Sequence, residues 1–155
     1  MGTISKSTVV DNVWKEFKDD ITEVTTVTLT DSTTQTIQTY TESFPQSVID
    51  EKSDYPIIVI EPPRISWDEF TLTKKTADGT IRIETYSTKA EAADRFLDAI
   101  IDTIETNRAN LRTSGLYKIN LEGTDNDNFT RGDIRIHMRS ATFTFKYNFT
   151  KTITW

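Results

Sequence analysis

At 155 residues, with a formal net charge of −6 and no cysteine, the chain is long enough for one ordinary domain with its own core. It has no means of forming a disulfide, a thiolate metal site or a cysteine nucleophile. The negative balance comes with no run of Lys and Arg, which argues against a sequence-independent phosphate-binding surface and for a surface that nucleic acid slides past.

Met1 to Ser7 is polar and lacks the apolar segment of a signal peptide. No apolar run approaches bilayer-spanning length. With the missing cysteines, this fits a cytosolic origin and no membrane partner. Thr is the commonest residue, close to a fifth of the chain. It is β-branched and stiff at χ1 yet soluble, so it favours strands with one wet face.

Thr8 to Ile21 is expected to be a helix. Val9, Val10, Val13, Trp14, Phe17 and Ile21 recur at three- and four-residue spacing, and Thr8 with Asp11 can form a capping box. Trp14 and Phe17 are expected as core anchors. Glu23 to Thr30 and Thr36 to Thr41 read as a Thr-rich hairpin around a turn at Asp31 to Thr34. Ser43 to Tyr55 reads as a loop. Residues 31–56 are therefore expected as a loop or hairpin extension of a single domain spanning 1–155. Pro56 to Ile60, apolar on both faces, predicts a central buried strand, ended by Pro62 and Pro63.

Arg64 to Lys75 and Thr80 to Tyr86 alternate as two strands, and Asp78-Gly79 between them is a hairpin-turn signal. Ser87 to Leu111 predicts one long amphipathic helix. Ala92, Ala93, Phe96, Leu97, Ile100, Ile101 and Ile104 form a stripe wide enough to cover a sheet. Thr88 and Glu91 offer a capping box, and Gly115 offers a stop. Leu116 to Leu121 alternates again, and Gly123 to Asp133 reads as a polar loop. Ile134 to Trp155 is strand pattern with a parity shift. Ile134, Ile136 and Met138 are even, whereas Phe143, Phe145, Tyr147 and Phe149 are odd. A bulge near Ser140 and two strands are expected there. The whole reads as α+β: a mostly antiparallel sheet, a long helix packed on one face, and an N-terminal helix.

No pattern for catalysis emerges. His137 is the only histidine and reads as a surface or interface residue. Asp125, Asp127 and Asn128 alternate as calcium ligands do, but the EF-hand pattern fails for want of its Gly and closing Glu, so turn-forming residues are the expectation. Arg131-Gly132-Asp133 matches an adhesion tripeptide that recurs by chance. No nucleophile elbow, phosphate-binding Gly loop or zinc-binding His pair is present. The protein is read as a non-enzyme with no cofactor and no metal. The C-terminal pattern runs on to the last residue. Phe149, Ile153 and Trp155 are therefore expected at a subunit interface, as an edge added to a neighbour's sheet.

The order helix, variable β segment, apolar strand after a proline, Asp-Gly hairpin, long helix and C-terminal strands resembles the tail-terminator proteins of long-tailed phages. These are also called tail-completion or head–tail joining proteins. The stretches that carry the likeness are Tyr55 to Ile60, Thr80 to Thr88 and Lys89 to Ile100. The resemblance implies a virion protein of the tail-neck region, assembled in the host cytoplasm. It implies a homo-oligomeric ring, commonly a hexamer, that caps the tail tube and meets a head connector or neck protein while DNA passes through the lumen without specific binding. Asp78, Asp125, Asp127, Phe129 and Arg131 are the expected docking-loop residues. Two other readings stand beside it. One is another neck or tail-tube subunit. The other is a cellular α+β binding module in which Trp67, Trp155 and Tyr117 line a pocket.

Overall fold

A long, mainly antiparallel sheet organises the molecule, whose computed structural model describes residues 2–3, 9–43, 52–69 and 74–150. The elements run β1 (Gly2–Thr3), α1 (Val9–Ile21), β2 (Thr26–Thr28), β3 (Thr34–Thr36), β4 (Thr39–Thr41), a 3-10 turn (Lys52–Asp54), β5 (Ile57–Ile60), β6 (Arg64–Glu69), β7 (Lys74–Ser87), α2 (Ala90–Thr106), α3 (Arg108–Thr113), β8 (Leu116–Arg131) and β9 (Ile134–Thr150). Among the described residues, seven strands form one sheet in the order β1-β9-β7-β5-β4, with β6 also on β7 and β8 also on β9. β2 and β3 form a separate antiparallel pair. The fold is α+β, as the sequence predicts.

The helices take one face of the sheet. On α1, Val9, Val13, Phe17 and Ile21 are buried, and on α2 Ala92, Ala93, Phe96, Leu97, Ile100 and Ile104 are buried. They meet Ile58 and Ile60 of β5, Ile81 and Ile83 of β7, and Phe143, Phe145 and Tyr147 of β9 in one cluster. Phe17 lies 5.6 Å, centroid to centroid, from Phe145. Trp14 is half-buried and its indole Nε1–H donates to the Ile60 carbonyl at 2.7 Å, so both predicted anchors hold α1 to the sheet. Val10 faces out, 37% exposed. Thr8, the other half of the expected α1 capping box, lies outside the described residues.

The predicted long helix is divided at Asn107, where Thr106-Asn107 offers weak helix formers. The expected α2 capping box does not form. Lys89 occupies the cap position without a side-chain bond. Glu91 Oε1 instead accepts from the Thr30 amide at 2.7 Å and its hydroxyl at 2.5 Å, tying α2 to the small hairpin. Gly115 ends α3 with φ +105, and a Cβ there would sit 2.7 Å from the Asn148 carbonyl oxygen.

Four strand expectations are corrected. Within the stretch 31–56, β4 leaves the expected hairpin and joins the main sheet parallel to β5. Asp78-Gly79 is no turn. Both residues lie inside β7, which pairs continuously with β9 from Lys74↔Thr150 to Ser87↔His137. The connection between β6 and β7 lies outside the described residues. The predicted loop at 123–133 is mostly strand, with β8 continuing to Arg131. Finally, β9 is one strand of 17 residues with no bulge near Ser140. Its parity changes because each half is buried on a different face. The odd residues Phe143, Phe145 and Tyr147 join the helix-side core. The even residues Ile134, Ile136 and Met138 join Tyr55, Ile57, Val59 and Tyr86 in a second cluster on the helix-free face. β5 is buried throughout because it contributes to both cores.

Candidate functional site

Asp125, Asp127, Phe129 and Arg131 come together on one strand. Their partners on β9 are Ser140, Met138, Ile136 and Ile134, so all four point to the helix-free face. Phe129 is committed to packing, its ring 6.0 Å from Tyr86 in an edge-on arrangement. The two aspartates are exposed, and each accepts from the next backbone amide at 2.8 Å. Their strand is exposed on both sides from Asn120 to Asn128. Among the described residues β8 pairs only with β9, and no strand pairs with its other edge. The hairpin runs past the end of β7, which stops at the Ser87↔His137 rung. His137 Nδ1 meets Asn128 Oδ1 at 2.7 Å. Burial, helped by Arg135 and Arg139, holds the imidazole below its usual range, so it is neutral at pH 7.

Asp78 does not join this group. It sits mid-strand in β7, and its carboxylate pairs with Lys146 at 2.7 Å. The backbone of Phe149 lies between Lys75 of β7 and Gly2 of β1, so at that rung β9 is paired on both sides. Ile153 and Trp155 lie outside the described residues.

Sequence reasoning missed a row of cations beside the hairpin. β8 carries two register shifts, between Tyr117 and Asn120 and between Leu121 and Gly123. Lys118 sits in the first of them with φ +50, a left-handed conformation that costs a non-glycine residue on the order of 1 kcal/mol. A groove of about 560 Å³ runs between Arg64, Asp78, Lys118 and Lys146. A second, of about 310 Å³, continues from Arg64 to Glu61 and Arg82. A third, of about 290 Å³, continues from Lys118 to Arg112 and Arg108.

Three of these cations have carboxylates of their own. Lys146 has Asp78, Arg108 has Glu105 at 2.7 Å, and Arg82 has Glu61 at 3.8 Å and Glu84 at 3.4 Å. Arg64, Lys118 and Arg112 are exposed, and no carboxylate among the described residues lies within ion-pair range of them. The row is invisible in the sequence because its members are scattered from position 64 to position 146. The expectation of no basic cluster holds along the chain and fails in space.

Behind the groove, Glu84 is buried. Burial and the Glu61 carboxylate push its carboxyl up, against the pull of Arg82 and a hydrogen bond from the Tyr86 hydroxyl at 3.1 Å. Burial and the adjacent Glu84 push the Tyr86 phenol up as well. These groups close the polar end of the helix-free face against its apolar end. The face thus has a packed half and a wet, charged half.

No protein-family model matches the chain, and no curated protein matches it. Among solved structures, a chain described as "Virion of native gene transfer agent (GTA) particle" aligns at TM-score 0.44 and 11% identity, over 73% of this chain and 78% of that one. An overlap this partial assigns neither family nor role.

Proposed function

We propose that the protein is a structural subunit of a long-tailed phage virion, a tail terminator that closes into a ring on the finished tail tube and meets the head connector or neck on its other side. Most of the element order that suggested this family is present in the fold, an N-terminal helix, a short variable β segment, a buried apolar strand, a long helix and long C-terminal strands, whereas the Asp-Gly hairpin is not. The observation that carries the reading is the β8 edge. A 16-residue strand, paired on one side only among the described residues, is a liability for an isolated protein and a natural element for assembly. Its carboxylates limit indiscriminate edge pairing, which suits a contact made once per neighbour. DNA traverses the ring without a specific site, and the chain works without metal or cofactor.

Electron microscopy of tube polymerisation tests this. Adding the protein to the tail-tube protein of its own virus should yield tubes that stop growing and carry a ring at one end. Stacked tubes of the protein itself would make it a tube subunit. Tubes of unaltered length with bare ends would refute the terminator role.

A further inference from the structure

Two exposed surfaces of this chain are complementary in charge and form no ion pair with each other within one molecule. The row Arg64, Lys118 and Arg112 has no carboxylate partner among the described residues. Glu122, Asp125 and Asp127 lie exposed on β8. Lys118 lies between the Lys146 and Thr144 rungs of β9 and Asp125 faces Ser140, so about five rungs, or roughly 17 Å at strand rise, separate them, too far for contact. We propose that the cationic row receives the acidic stretch of β8 from a second copy of this chain. Each subunit then gives its hairpin to one neighbour and its groove to the other. The inference rests on the ring reading above and names the contact that builds the ring.

The contact is heterologous, because the two patches occupy different parts of the surface. Such contacts generate closed rings when the rotation between copies closes. Three cations face three carboxylates, so pairing satisfies both patches. A polyanion such as duplex DNA is the poorer occupant. Its phosphates recur far more densely than three isolated cations can match, and the chain's net charge of −6 repels it at long range. The strained Lys118 sits where two of the cavities meet, and strain at a bulge is found where a side chain must be aimed.

Charge reversal in the full-length protein tests this. One variant carries Arg64→Glu, Arg112→Glu and Lys118→Glu; the other carries Glu122→Lys, Asp125→Lys and Asp127→Lys. Circular dichroism checks folding, and sedimentation velocity with native mass spectrometry reads assembly. Each reversed protein alone should lose assembly by about 100-fold or more in concentration, because like charges then face each other. Mixing the two in equal amounts should restore rings with equal numbers of each, hence an even total.

Rings formed by either reversed protein alone would overturn this contact and leave the ring reading standing. A mixture that stops at heterodimers would uphold the contact and overturn the ring. A wild type that stays monomeric at every concentration would overturn both. Rings unaffected by groove reversal, with loss of duplex-DNA binding at low salt, would assign the row to DNA and overturn the inference. If a reversed protein fails to fold, Arg64→Gln, Arg112→Gln and Lys118→Gln together ask the same question. Weakened assembly supports the contact, and unchanged assembly refutes it.

Discussion

Replacing Gly79 with Ala should destabilise the protein through one identifiable collision. Gly79 lies inside β7, and a Cβ there would come 2.5 Å from Phe145 Cζ, 2.9 Å from Phe145 Cε2 and 2.9 Å from the Arg64 carbonyl oxygen. Carbon atoms pack at about 3.5–4.0 Å, so the ring must retreat by about 1 Å. It has little room, being 3% exposed and packed on Phe17 of α1. The Arg64 carbonyl is backbone on the paired strand β6 and moves only if that ladder loosens. Overpacking of this kind costs about 1–3 kcal/mol, and removing a glycine from the unfolded chain offsets roughly 0.5–1 kcal/mol of that. The net loss is centred on about 1 kcal/mol and reaches at most about 2.5 kcal/mol, or a melting point lower by roughly 2–4 °C at the centre and about 10 °C at the limit in a domain of this size. Guanidinium denaturation should show a lower midpoint at unchanged slope. Adding Phe145→Leu to Gly79→Ala should recover part of the loss, as coupled contacts do. A midpoint raised in Gly79→Ala would refute the close approach of the ring.

The two adjacent isoleucines of α2 should separate. Ile100 is fully buried and Ile101 only partly, so Ile100→Ala should cost about 2–5 kcal/mol and Ile101→Ala less than half of that in the same denaturation assay. Asp20 supplies a pH test. Burial first, then the carboxylates of Glu23, Glu16 and Asp19, push its carboxyl from 3.8 up to about 6. A raised pKa means that the folded state holds the proton more tightly, so the associated stability is present below pH 3.8 and lost as pH rises through 6. Asp20→Asn, which cannot ionise, should therefore melt above wild type at pH 7.5 and converge with it near pH 4. A gap that widens toward acid would contradict the assignment.

The parts of the fold legible in the sequence are those whose burial has one period. α1 and α2 repeat at helical spacing against a single core, and β5 is apolar throughout because both faces are covered. The misreadings share a physical origin in sheet geometry. Asp78-Gly79 has turn chemistry, but the glycine serves the Phe145 ring, a contact 66 positions away that no local pattern records. Residues 122–128 lack alternation because both faces of the edge strand are wet, so a strand looks like a loop. The parity change in β9 marks two cores on opposite faces of one regular strand, and a bulge produces the same pattern on paper. Asp125, Asp127, Phe129 and Arg131 were identifiable as a group and do share one face. Their cationic counterpart was not identifiable, because Arg64, Lys118 and Arg112 come from β6, β8 and α3 and meet only once the sheet has formed.

The mass of the purified protein in solution tests the central claim most directly. Native mass spectrometry across a concentration series, alone and with tail-tube protein, should show a discrete closed oligomer, with six subunits as the expected number, that falls apart as salt is raised because charged groups hold its interfaces. A single species at 17.8 kDa under all of these conditions would contradict the account.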